Sequence, residues 1–142
     1  MARPQKERGV AEPPKIQSFK PTGIPRRFLE RVSLSLDEFE AIRLADHEGL
    51  DHKEAAERMN ISRSTFTRLI EKARKKMAEA LIEVKELYIE GGSVHFRYNL
   101  FRCGMCGNVI RMDIGNPYPQ ECPQCGSLNF IDLARTFSHG TC

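Results

Sequence analysis

The sequence predicts an α+β protein with an extended N-terminal arm, a three-helix domain and a small C-terminal β module. Three observations carry this reading. Five of the eight prolines fall in residues 1–35. Residues 36–90 hold no proline and carry three helix-start signals. From Ser93 onward the apolar residues alternate, and all five cysteines follow. The expected domains are 1–35, 36–90 and 93–142.

The arm comes first. Pro4, Pro13, Pro14, Pro21 and Pro25 remove amide donors and bias the residues before them away from the helix, so an extended chain is expected. Its Arg3, Lys6, Arg8, Lys15 and Lys20 suit either a groove-tracking arm or a solubilising tail. No apolar stretch follows the basic N-terminal residues, and no run approaches the ~18 apolar residues of a spanning helix. The expected location is the cytoplasm, with no membrane partner. In that reducing compartment five cysteines do not suggest a disulfide framework.

Three caps define the helices. Ser35-Leu-Asp-Glu38 is a capping box, with Leu34 and Phe39 placed as its hydrophobic staple. Asp51 caps the second helix and Ser62 the third, with Ile61 and Phe66 as a second staple. Helices are expected at 36–48, 52–59 and 62–85. Asn60, Ile61 and Ser62 alone separate the last two, and Asn tolerates the left-handed backbone that so tight a turn requires. Ala55 and Ala56 allow a close crossing, while Ile61, Phe66 and Leu69 fill the angle. This is a helix-turn-helix constellation over about His52–Glu71.

The third helix has two faces. Phe66, Leu69, Ile70, Ala73, Met77, Ala80, Leu81 and Val84 share one apolar arc at 100° per residue. Opposite lie Ser64, Thr67, Arg68, Glu71 and Lys75, flanked by Arg63, Lys72, Arg74 and Lys76. Charge is segregated accordingly: residues 36–61 carry −5 and residues 62–76 carry +5. A helix that is polar in its first turns and cationic later suits double-stranded DNA. The first turns reach base edges, and later cations meet phosphates. Arg63 and Arg68 are candidates for bidentate pairing with guanine. Ser64 and Thr67 are candidates for base or phosphate contacts, and Lys72, Arg74, Lys75 and Lys76 for phosphates. The competing reading is a three-helix interaction module whose basic face is merely solvated.

The stretch LSLDEFEAIRLADHEGLDHKEAAERMNISRSTFTRLIEKARKKMAEAL resembles the domain of unknown function 134 (uncharacterised protein family 0251). The opening Ala-Arg-Pro, the segment Phe19–Pro25 and Leu87–Gly92 fit the same pattern, which covers about residues 1–92. The resemblance implies a DNA-binding protein and names no target. Ile61–Ile70 and Ala73-Arg-Lys-Lys-Met77 are also similar to the promoter-reading helix of sigma-factor region four. That similarity implies base-reading positions at Arg63, Ser64 and Arg68, with Ser62 as the cap. The rest of a sigma factor is absent.

The β module holds Cys103-Gly-Met-Cys106 and Cys122-Pro-Gln-Cys125, with fifteen residues between them. Two such knuckles at this spacing predict a tetrahedral four-thiolate metal site on a ribbon with strands near 94–102, 108–113 and 128–133. Zinc is the expected ion, and iron is the alternative because the knuckles look like those of rubredoxin-type sites. Four thiolates leave no open coordination position, which argues against zinc catalysis. Arg97, Arg102 and Arg111 suit further phosphate contacts or plain solvation. Cys142 is expected in a frayed tail, His47 and His52 at the surface, and His95 without a partner. No phosphate-cradling glycine loop, G-x-S-x-G or carboxylate–His pair at ligand spacing occurs, so no enzyme is expected.

The sequence therefore points to a transcription regulator. The alternatives are a ribbon adaptor of the transcription or translation machinery, or an iron-thiolate redox-responsive regulator. RNA polymerase is a candidate partner. A homodimer is a further expectation, through Leu81, Val84 and Leu87 or through the strand at 94–100.

Overall fold

The computed structural model describes residues 7–115 and 118–137. Arg3, Lys6, His139 and Cys142 lie outside the described residues. The chain divides into two compact units, one of residues 7–10 with 16–95 and one of residues 11–15 with 96–137. The architecture is mixed helix and sheet, as expected from the sequence.

In the first unit, each predicted cap forms. The Ser35 side chain accepts from the Glu38 amide, and Glu38 accepts from the Ser35 amide, so the capping box is complete at the start of α1 (Leu36–Ile42). The helix predicted to reach residue 48 widens instead into a π-turn over Arg43–His47, closed by Glu48 N–H to the Arg43 carbonyl at 2.9 Å. Asp51 caps α2 (His52–Met59), and Ser62 caps α3 (Arg63–Ile82). Asn60 takes the left-handed backbone expected of the turn, at φ 58°. Ala41, Leu44, Ala55, Ala56, Met59, Phe66, Leu69 and Ile70 interlock as the helical core. The two alanines let the helices approach, and Phe66, fully buried, fills the space between them.

Residues 7–35 depart from the expected free arm. They contain β1 (Arg8–Val10), β2 (Ser18–Phe19), a 3-10 turn (Arg26–Phe28) and β3 (Arg31–Leu34). The third helix also ends earlier than the periodicity suggested. The chain turns through Val84 in the left-handed region (φ 57°) and enters β4 (Glu86–Ile89). β4 is the centre of a β2-β4-β3 sheet, antiparallel to β2 and parallel to β3. Its parallel register sets Val32 beside Leu87 and Leu34 beside Ile89, all four buried. Leu87, expected at the end of the third helix, is therefore a buried residue of the sheet. Glu86 is buried as well, and Arg26 (2.8 Å) and Arg31 (3.0 Å) neutralise it.

β1 pairs with β5 (Val94–Phe96), after which the second unit begins. The predicted strand at 94–102 is thus two, β5 and β6 (Tyr98–Cys103). In the second unit β6 is the central strand between β7 (Val109–Asp113) and β8 (Phe130–Asp132), antiparallel to both. A short α4 (Leu133–Thr136), capped by Asp132, closes the described chain.

Candidate functional site

The second unit gathers the four cysteines through two knuckles of identical backbone logic. Cys103 N–H bonds to the Asn108 carbonyl, and Gly107 N–H returns to the Cys103 carbonyl. Cys122 N–H bonds to the Ser127 carbonyl, and Gly126 N–H returns to the Cys122 carbonyl. Gly107 and Gly126 occupy equivalent positions at φ 79° and 75°, which strain any side chain with a Cβ. Gly104 serves differently: a Cβ there would lie 2.7 Å from the Asn129 side chain.

The Sγ atoms of Cys103 and Cys125 are 3.5 Å apart, those of Cys106 and Cys122 are 3.6 Å apart, and all four lie within 4.8 Å of one another. Tetrahedral metal–sulfur bonds of about 2.3 Å place sulfurs about 3.8 Å apart. The donor set therefore fits one ion of the zinc or iron type. Cys103 and Cys122 are buried and Cys106 and Cys125 exposed, so each knuckle contributes one inner and one outer sulfur. The amides of Cys106 and Met105 point at Cys103 Sγ and hold its pKa down to about 6. At Cys125 the Ser127 amide acts in the same sense, but the neighbouring sulfurs, Cys103 first, push the thiol up to about 12. Protons cannot leave all four sulfurs without a cation to offset the accumulating charge.

In the first unit the cationic face of α3 lies open. Arg63, Ser64, Arg68, Lys72 and Lys75 are exposed, while Phe66, Leu69, Ile70 and Ala73 on the opposite side are buried. Among the described residues no ion pair engages Arg63, Arg68, Lys72 or Lys75. Three other expected contact residues are already occupied. Arg74 forms a bidentate pair with Asp46 at 2.6 and 3.1 Å. The pairing holds the Asp46 carboxyl below its usual value and raises Arg74. Lys76 donates to Glu38 Oε1 at 2.6 Å, and the Glu38 side chain is only 3% exposed. Thr67 Oγ1 donates to the Arg63 carbonyl and lies 2.9 Å from His52 Nδ1. His52, expected at the surface, is half-buried and meets the Phe66 ring edge-on.

Sequence reasoning missed Asp46 and Glu38 as partners, because they stand 28 and 38 residues from the cations they bind. The remaining basic candidates resolve similarly. Arg111 stacks over Tyr98 at 3.7 Å and pairs with Glu12 at 3.4 Å, both within the second unit. His95, expected alone, lies 3.8 Å from Glu7. Of the arm's described cations, Arg8 is paired with Asp37 at 2.6 Å.

Fold and site together define a mixed helix-and-sheet protein in which a separate small β unit carries a four-cysteine cluster able to hold a metal. Among the described residues no helix is long and apolar enough to cross a membrane. The chain belongs to the family described as protein of unknown function DUF134, whose model matches residues 1–97. Residues 99–131 match the MJ0401 family, so the boundary between the two matches falls close to the boundary between the units. A UPF0251 protein of Chloroherpeton thalassium is 51% identical over 138 residues, 97% of this chain and 91% of the relative. Another from Halothermothrix orenii is 45% identical over 88% of this chain and 95% of its own. A third, from Clostridium novyi, is 42% identical over 95% and 91%. No solved structure matches the chain.

Proposed function

We propose that this protein is a sequence-specific DNA-binding transcription regulator. Helices α2 and α3 act as a helix-turn-helix, and the first turns of α3 enter the major groove. The observation that carries the reading is the division of α3. Over its first turns the apolar side, Phe66, Leu69, Ile70 and Ala73, is sealed against the protein, while Arg63, Ser64, Arg68, Lys72 and Lys75 stay exposed on the other side. Arg63, Ser64 and Arg68 stand in the first two turns and read base edges, and Lys72 and Lys75 meet phosphates. Ser62 fixes where the helix begins, and hence which residues reach the groove floor. Asp46 and Glu38 hold Arg74 and Lys76 back from that face, which limits the cations available to the nucleic acid.

The four cysteines hold one structural zinc ion, with iron as the competing occupant. The metal supplies cohesion to a unit of about 52 residues, small enough to need such a staple. No step of chemistry is assigned to either unit, and the reading is of a non-enzyme in the cytoplasm.

Selecting bound duplexes from a random pool, with metal content measured on the same preparation, tests the proposal. An enriched motif is expected. Arg68→Ala should relax one position of it by about 1–3 kcal/mol of discrimination. Uniform weakening across all duplexes would refute base reading by Arg68. Failure to enrich any sequence would favour the adaptor reading.

A further inference from the structure

Beyond its first four turns, α3 and the turn that follows it do not bury their apolar side. Leu81 is 79% exposed, Val84 48% and Met77 41%. These residues form one wall of a cavity of about 530 Å³ inside the first unit. Phe39 of α1 and Phe19 and Leu87 of the sheet form the others. That volume is of the size that takes a small organic molecule.

The lining contains two charged residues, Lys20 and Lys85, and they differ. Lys85 is neutralised by Glu79 at 3.0 Å, with Glu30 at 3.5 Å and Glu83 at 3.9 Å. The Lys20 ammonium bonds only to carbonyl oxygens, those of Ile24 at 2.8 Å and Pro21 at 3.4 Å. Among the described residues no carboxylate meets it. Its charge is thus held at the solvent-exposed edge of an apolar cavity, with no carboxylate paired to it. An occupant with an apolar chain and an anionic head would match both the apolar walls and the ammonium at their edge.

We infer that this cavity binds a small amphiphilic carboxylate, with its acyl chain against Met77, Leu81 and Val84 and its carboxylate on Lys20. The site stands independently of DNA binding. Because its wall is the distal half of the same helix, an occupant contacts the element that carries the cationic face. The two faces of α3 then serve two different ligands.

The test uses the full chain labelled at its methionine methyl groups, titrated with dodecanoate and with dodecanol below their aggregation limits. Saturable one-to-one binding with a shift of the Met77 methyl is expected. Dodecanoate should bind about twofold to fivefold more tightly than dodecanol, the worth of an exposed ion pair. Lys20→Gln, at an exposed position that leaves the fold intact, should erase that preference while dodecanol still binds. Leu81→Glu should weaken both ligands at least tenfold. Three outcomes would overturn the inference: no saturable binding, equal affinity for the two ligands, or a preference that survives Lys20→Gln. Sedimentation of the unliganded chain is read alongside. A dimer that Leu81→Glu converts to monomer would instead assign the groove to a second copy. Failure of duplex selection would leave this result untouched, so the two readings fall separately.

Discussion

Neighbouring lysines on α3 should fail in opposite ways. Lys75 is exposed and engages no carboxylate among the described residues, whereas Lys76 donates to Glu38 at 2.6 Å and is 27% exposed. Lys75→Ala should therefore remove one phosphate contact and little stability. The slope of log K against log salt should become shallower by about 0.9. Over a tenfold salt range the gap between wild type and variant would change by about eightfold. Lys76→Ala removes no phosphate contact but leaves Glu38, a capping-box residue with one buried oxygen already unpartnered, without its cation. For a half-buried pair that costs about 1–3 kcal/mol, below the range for fully buried pairs. In a unit of this size the loss should lower Tm by about 5–15 °C. Fluorescence anisotropy at four salt concentrations and calorimetry on the same samples separate the two effects. If Lys76→Ala flattens the salt slope as much as Lys75→Ala with no fall in Tm, the assignment of Lys76 to Glu38 is wrong.

Further outcomes follow from the same geometry. Asn60→Ala places a Cβ-bearing, non-hydrogen-bonding residue at φ 58° and should cost about 1 kcal/mol, while Asn60→Gly should be near neutral by urea titration. Arg74→Gln should move the Asp46 titration, followed by carboxyl NMR, back up toward 3.8. Asp46 has a depressed folded-state pKa, so its increment of stability is present above pH about 4 and vanishes as pH falls through the folded value. The Arg74→Gln variant lacks that increment and should show a flatter acid limb, by a small amount because the pair is exposed. Purified protein should hold one metal ion per chain. A chelator, or acidification that protonates the thiolates, should release it and unfold the amides of residues 98–132 while those of residues 31–89 persist in exchange. Loss of both sets together would refute separate units.

Local chemistry was legible in the sequence wherever a motif closes within a few residues. Ser35 with Glu38, Asp51, Asn60 and Ser62 each determine their own turn, since the partner groups lie three or four positions away. The two C-x-x-C knuckles likewise specify where the sulfurs of each pair point. Non-local pairing was not legible. Arg31–Leu34 looked like a proline-rich arm and Glu86–Ile89 like the end of a helix, because neither four-residue strand carries enough pattern to announce itself. Only when β3 and β4 lie side by side does each satisfy the other's amides, and that pairing shortens α3 and buries Leu87. The same holds for charge. Periodicity could sort the cations of α3 onto a face, but it could not reveal that Asp46 and Glu38 fold back onto two of them. Which cations stay open, and whether a cavity opens behind them, depends on contacts between residues far apart in the chain. Those contacts exist only once the elements have packed.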